Sequence, residues 1–80
     1  MRIPRDVSGE ELARRLVALG YAVTRQTGSH MRLTTDQLGE HHVTIPRHDP
    51  LRLGTLNSIL RDIAEHHQTS RERLLEILFG

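Results

Sequence analysis

Residues 30–34 read HMRLT and residues 42–45 read HVTI, and both stretches alternate polar with apolar side chains. This two-residue period is typical of a β-strand with one buried face and one wet face. A loop over residues 36–40 separates the stretches, so we expect the two strands to pair antiparallel. The side chains expected to face the core are Met31, Leu33, Val43 and Ile45.

The opposite face of these strands carries the polar set, His30, Arg32, Thr34, His42 and Thr44. His30 begins its strand directly after a predicted turn, Thr27-Gly28-Ser29, and we expect its imidazole to be accessible to solvent. Imidazole has a reference pKa of about 6.5, so it can both take and give a proton near neutrality. His30 is therefore the candidate acid–base group.

A further strand and a first helix precede this pair. Residues 21–25 read YAVTR, which is rich in strand-forming residues. Ser8 and Glu11 have the spacing of a capping box, leucines then recur at helical spacing, and Gly20 suits the end of the helix. On strict alternation Arg25 shares the face of Tyr21, unless the turn rotates it.

Two helices follow the strands. The loop over residues 46–54 contains two prolines, and Thr55 is the expected N-cap of a helix whose apolar stripe ends at His66-His67. Thr69 and Glu72 have capping-box spacing and predict a short last helix. The stripe residues of the two helices are Leu56, Ile59, Leu60, Ile63, Leu74, Leu75, Ile77 and Leu78.

The predicted order is α-β-β-β-α-α, in which the helical stripes bury against one face of a three-stranded antiparallel sheet. The fold class is thus α+β with two layers. Eighty residues are too few for two ordinary domains, so we expect a single domain over residues 1–80.

Composition excludes several classes of protein. The chain has no Cys, which excludes a disulfide scaffold and a thiol nucleophile. No apolar run approaches the roughly 20 residues of a membrane span, and the N-terminus lacks the apolar stretch of a signal peptide, so we expect a cytoplasmic protein without membrane contact. Without Cys or an H-x-x-x-H helix, we expect neither a metal site nor a cofactor.

All eleven basic residues are Arg, whose planar guanidinium grips phosphate bidentately, although a GC-rich coding bias also explains this usage. The formal net charge is only +1. Tyr21 and Phe79 are the only aromatic residues, which argues against recognition of single-stranded bases by aromatic stacking.

Three motifs occur in order along the chain: Gly28-Ser29-His30, then Ile45-Pro46-x-His48, then Gly54-Thr55-Leu56 with Ile59-Leu60. Together with Gly20-Tyr21 and Arg25, they make residues 10–65 resemble the HicA toxin family, also called YcfA-like mRNA interferases. The resemblance implies a fold like that of double-stranded-RNA-binding domains (dsRBD-like). It also implies cleavage of mRNA, neutralisation by a HicB-type antitoxin, and a catalytic role for His30.

The expected RNA-binding residues are Arg25, Ser29, Arg32 and His48. Ser29 either bonds within the turn or orients the imidazole of His30, and His48 is either a second acid–base group or a loop residue that bonds backbone. Gly28 serves the backbone, by permitting positive φ or the close approach of a phosphate.

Two functions follow from these residues. In the first, His30 removes the proton of a ribose 2′-OH while Arg32 stabilises the phosphorane charge, which makes a metal-independent endoribonuclease. In the second, the same fold binds RNA or a protein without chemistry. The low net charge favours the second, because phosphate contacts normally come from excess Lys and Arg.

Overall fold

The computed structural model describes residues 2–80, and over these residues it has the predicted order of helices and strands. The first helix, α1 over Gly9–Arg15, continues directly into a 3₁₀ turn over Leu16–Leu19. No helix within the described residues is long and apolar enough to cross a membrane. The elements are α1 Gly9–Arg15, β1 Ala22–Gln26, β2 His30–Thr35, β3 His41–Pro46, α2 Leu53–His66 and α3 Arg71–Phe79.

The strands form one antiparallel sheet in the order β1-β2-β3. In the β2–β3 ladder, Arg32 lies opposite Thr44 and Leu33 lies opposite Val43. Leu33 and Ile45 are fully buried under the helices, whereas Arg32 and Thr44 are exposed on the other face. The α+β fold class and the predicted division of β2 and β3 into two faces are therefore confirmed.

The first helix begins where the sequence predicts. The hydroxyl of Ser8 accepts a hydrogen bond from the Glu11 N–H at 3.0 Å, which satisfies one free donor at the helix N-terminus. At the other end Gly20 has φ of +80°, the left-handed conformation that ends many helices. The buried Thr35 hydroxyl donates to the Leu19 carbonyl at 2.8 Å, so the end of this helix is fastened to the end of β2.

The prediction that Thr55 is the N-cap of the second helix is wrong. Helix α2 begins at Leu53, and the Leu56 N–H donates to the Arg52 carbonyl at 2.9 Å. Gly54 lies in the first turn of this helix beside open space, since a Cβ at this position would contact nothing within 4 Å. The helix therefore starts two residues before the threonine and has no side-chain cap.

The predicted cap of the third helix, Thr69, is also wrong by one residue. Ser70 is the N-cap, and its hydroxyl accepts from the Arg73 N–H at 3.1 Å. The Thr69 N–H instead donates back to the Ala64 carbonyl at 3.0 Å, so Thr69 belongs to the end of α2. Gln68, with φ of +54°, makes the reversal between the two helices.

A cluster of rings joins the residue before β1, the start of β3 and the end of α2. We call it the imidazole cluster: Tyr21, His41, His66 and His67. The Tyr21 hydroxyl lies 2.7 Å from His41 Nδ1 and 3.1 Å from His67 Nε2. The His41 and His66 rings stack with centroids 4.3 Å apart. Sequence analysis placed His66 and His67 correctly at a helix end and did not bring His41 to them.

The hydrogen bonds of the imidazole cluster have a definite direction when its rings are neutral. His41 Nε2 lies 3.2 Å from an Asp62 carboxylate oxygen, which only accepts, so Nε2 carries the proton of the neutral ring. His41 Nδ1 then accepts from the Tyr21 hydroxyl, whose oxygen accepts from His67 Nε2. His66 Nε2 donates to the carbonyls of Gln37 and Gly39, which holds the β2–β3 loop against α2.

We predict that the protein loses stability as the pH falls below about 6.5. Burial lowers the pKa of His67 from 6.5, and the neighbouring His66 and His41 lower it further. The unfolded chain therefore binds a proton at a higher pH than the folded chain does, and the free energy of unfolding decreases from the unfolded pKa downward. Urea unfolding measured between pH 5 and pH 8 checks this slope (roughly the range in which imidazole titrates).

The His67→Gln variant removes this titration, so its stability should fall less steeply over the same pH range. The matched control is His48→Gln, since His48 is exposed and lies outside the imidazole cluster. An equal slope in wild type and His67→Gln would contradict the assignment.

Candidate functional site

The turn before β2 is organised by Thr27, to which the sequence analysis gave no role beyond the turn itself. Its hydroxyl accepts from the Ser29 N–H at 3.3 Å and from the His30 N–H at 3.0 Å. Its backbone N–H donates to the His30 carbonyl at 2.9 Å. A threonine whose hydroxyl accepts from the N–H groups two and three residues later is a recognisable sequence signal for such a turn.

The turn presents the imidazole of His30 to solvent. Ser29 Oγ lies 2.8 Å from His30 Nδ1, so one ring nitrogen is held by a hydroxyl, and no hydrogen bond to Nε2 occurs within the described residues. The Ser29 carbonyl accepts from the Arg47 N–H at 2.8 Å, which fastens the turn to the residue after β3. The predicted accessibility of His30 agrees with this exposure, and Ser29 occupies a position that orients the ring.

A β-bulge brings Arg25 to the same face as His30. Val23 pairs with Leu33, but Arg25, two residues on, pairs with Arg32, so the register shifts by one between them. The extra residue is Thr24, whose hydroxyl reaches Thr34 Oγ1 at 2.9 Å on the wet face. Strict alternation would have left Arg25 on the helix side, and the bulge is what turns it.

These residues line one open groove of about 420 Å³ on the wet face, which we call the His30 groove. Its lining contains two guanidinium groups and two imidazoles and, within the described residues, no carboxylate. The groove therefore suits a phosphate chain, which guanidinium groups bind through charge-assisted hydrogen bonds. Its lining residues are Arg25, Thr27, His30, Arg32, His42 and Thr44.

His42 lines the groove, and both of its ring nitrogens form hydrogen bonds. Nε2 lies 2.8 Å from a Glu40 carboxylate oxygen and Nδ1 lies 2.7 Å from Thr34 Oγ1. In the neutral ring Nε2 therefore donates to Glu40 and Nδ1 accepts from the threonine hydroxyl. The sequence placed His42 near Thr34 on this face but gave no sign of the contact with Glu40, which belongs to the preceding loop.

Two of the predicted site residues stand apart from this arrangement. His48 is exposed on the loop after β3, where its carbonyl accepts from the Gly9 N–H at 2.9 Å, and it does not line the His30 groove. Gly28 lies beside the groove, but it does not have positive φ, so that reason for the glycine is wrong. A Cβ at Gly28 would meet nothing within 4 Å, and the close approach of a phosphate stays a prediction.

Within residues 2–80 no group of three or more His, Asp or Glu side chains is arranged to hold a metal ion. The three rings of His41, His66 and His67 bond instead to Tyr21, to Asp62 and to carbonyls.

The chain matches the sequence model of a known protein family. The sequence model described as "HicA toxin of bacterial toxin-antitoxin" matches residues 9–64, which is more than half of the chain. The matched range begins at the start of α1 and ends near the end of α2, so it contains the whole sheet and the His30 groove. No curated protein and no solved structure matches the chain significantly.

We predict that Thr27→Val loosens the turn that carries His30. The variant keeps the size of the side chain but loses a hydroxyl that accepts from two N–H groups, so the free energy of unfolding should decrease by about 0.5–1 kcal/mol. Hydrogen exchange at the Ser29 and His30 amides should become faster. Thr27→Ser, which keeps the hydroxyl, is the control and should exchange like wild type. Unchanged exchange in Thr27→Val would show that the hydroxyl does not order the turn.

Proposed function

Because the chain belongs to the HicA toxin family of bacterial toxin–antitoxin systems, we propose that it is a metal-independent endoribonuclease that cleaves mRNA and thereby inhibits translation. Its proposed protein partner is a HicB-type antitoxin, and its proposed compartment is the cytoplasm. The observation that carries the proposal is the exposed imidazole of His30 in a groove with two guanidinium groups.

In the proposed reaction His30 Nε2 removes the proton from a ribose 2′-OH. The 2′ oxygen forms a bond to the adjacent phosphorus, and the bond from phosphorus to the 5′ oxygen of the next nucleotide breaks. That leaving oxygen takes a proton from water, to which the groove is open, and the protonated His30 returns its proton to the hydroxide that forms. The products are a 2′,3′-cyclic phosphate and a 5′-OH. DNA lacks the attacking hydroxyl, so this chemistry selects RNA.

Ser29 supports this role by holding the opposite ring nitrogen. A ring that acts as a base through Nε2 carries its proton on Nδ1, and the protonated ring also carries a proton there. In both states Nδ1–H can donate to Ser29 Oγ at the observed 2.8 Å. The contact therefore keeps the ring oriented through the proton transfer without opposing either state.

Arg25 and Arg32 supply the electrostatic part of the proposal. They lie opposite each other on β1 and β2, and neither forms an ion pair within the described residues, so both are free to bind phosphate. Negative charge on the phosphoryl oxygens increases toward the transition state, and preorganised cations stabilise it more than the ground state. His48 and Gly28 would contact the RNA chain outside the reacting phosphate.

We predict that His30→Ala lowers the rate constant of RNA cleavage by about 10²-fold or more, since a general acid–base group contributes about 10²–10⁴-fold. The side chain is exposed, so the variant should fold with an unchanged thermal transition. Single-turnover cleavage of a labelled RNA in EDTA measures the rate constant, thermal unfolding followed by circular dichroism checks the fold, and a 2′,3′-cyclic phosphate end identifies the chemistry. Cleavage by His30→Ala at the parental rate would refute the assignment, and strict dependence on Mg²⁺ would refute the metal-independent reaction. RNA binding without cleavage by wild type would instead identify a non-catalytic binding module.

We predict that Ser29→Ala lowers kcat by about tenfold and leaves KM unchanged, because the lost hydrogen bond orients the ring rather than the RNA. Ser29→Thr keeps the hydroxyl and should restore kcat. If Ser29 contacts the RNA instead, Ser29→Ala will raise KM, and the kinetic split distinguishes the two roles.

A further inference from the structure

Strand β1 lies beyond the cover of the helices. All five of its residues are exposed, whereas β2 and β3 bury alternate side chains under α1 and α2. Val23 pairs with the buried Leu33 and so faces the helix side of the sheet, yet it is 45% exposed. The helix layer therefore stops one strand short of the sheet edge.

An apolar groove of about 270 Å³ runs between the first helix and this strand, and we call it the β1 groove. Val17 of the 3₁₀ turn is 65% exposed along it, and its floor includes the buried Met31. Two large apolar side chains exposed beside one groove indicate an interaction surface more than scattered surface residues do. The charged residues of its lining are Glu10, Arg14 and Arg47.

The same strand has a free backbone edge. In the order β1-β2-β3, the side of β1 away from β2 pairs with no strand among residues 2–80. An edge strand of this kind is a template for an added strand, which gains main-chain hydrogen bonds from the edge and specificity from pockets for alternate side chains. Here a pocket lies directly beside the edge.

We propose that the β1 edge binds an extended segment of a partner protein as a fourth strand. Apolar side chains at alternate positions of this segment lie in the β1 groove, and acidic side chains lie beside Arg14 and Arg25. The proposed partner is the antitoxin that pairs with this chain. The docking therefore rests on the toxin role and does not depend on the nuclease chemistry.

Charge selects this occupant over a second copy of the chain. Arg14 beside the groove and Arg25 on the strand have no carboxylate partner within the described residues, whereas Arg47 is paired with Glu10 at 3.1 Å. Two copies joined at their β1 edges would bring like guanidinium groups to both sides of the interface, which is unfavourable. An acidic strand neutralises the same groups.

The added strand would also reach Arg25, at the β1 side of the His30 groove. Successive side chains of a strand point to opposite faces, so every second residue of the docked segment would lie on the wet face beside Arg25. An acidic side chain there competes with phosphate for the guanidinium group. One docked strand would thus fill the apolar groove and occupy Arg25, one of the two guanidinium groups of the His30 groove.

The test measures binding of the HicB-type antitoxin from the same operon to the full-length chain by isothermal titration. Val17→Asp and Val23→Asp should each weaken binding by about tenfold or more, since a charge replaces an apolar side chain buried by the docked strand. Leu53→Asp is the matched control, because Leu53 is similarly exposed at 57% on α2 and does not line the β1 groove. Hydrogen exchange in the complex should show new protection at the amides of residues 22–26.

Three results would each overturn the proposal. The first is antitoxin binding by Val17→Asp and Val23→Asp as strong as that of wild type or the control, the second is no new protection of the β1 amides, and the third is no complex between the antitoxin and the wild-type chain. A dimer of the chain alone that Val23→Asp dissociates would overturn it in favour of a second copy. RNA binding that Val17→Asp weakens, while antitoxin binding stays at wild-type strength, would overturn it in favour of RNA, because Val17 lines the β1 groove and not the His30 groove. Failure of the nuclease proposal would look different. The chain would still bind the antitoxin through β1, but the free chain, without antitoxin, would cleave no RNA.

Discussion

The pairing of β2 with β3 is the constraint on which the site depends. Helices bury one face of this ladder, and the two-residue period then places every second side chain of both strands in water. Leu33 and Ile45 are held in the core, so a one-residue slip would expose them and bury Arg32 and Thr44. The cost of that slip fixes the register, and the register fixes the exposure of His30.

Two local backbone features turn this polar face into a groove. The Thr27 hydroxyl organises the turn that aims His30 outward, and the bulge at Thr24 carries Arg25 across to the same side. A bulge increases twist and re-aims side chains near functional sites in many sheets. Here it places a second guanidinium group opposite Arg32, which makes the groove cationic although the chain as a whole is almost neutral.

The neighbouring residues His41 and His42 show how one strand serves two regions. They point to opposite faces, as adjacent strand residues must. His41 joins the imidazole cluster that holds α2 and the β2–β3 loop in place, and His42 enters the His30 groove with Glu40. The loop that carries Glu40 is held by His66, so the packing of α2 supports the position of a groove residue.

The sequence by itself determined the order of elements, the α+β class, the Ser8 cap and the two faces of β2 and β3, because hydrophobic period and capping chemistry are local properties. It also singled out His30 and Ser29 through the Gly28-Ser29-His30 motif. It misplaced the caps at Thr55 and Thr69, because α2 begins two residues before Thr55 with no side-chain cap and Ser70 caps α3 in place of Thr69. Only the tertiary structure decided the side of Arg25, the meeting of Tyr21 with His41 and His67, and the exposure of β1. Each of these depends on residues far apart in the chain or on a one-residue change of register, which side-chain pattern alone does not encode.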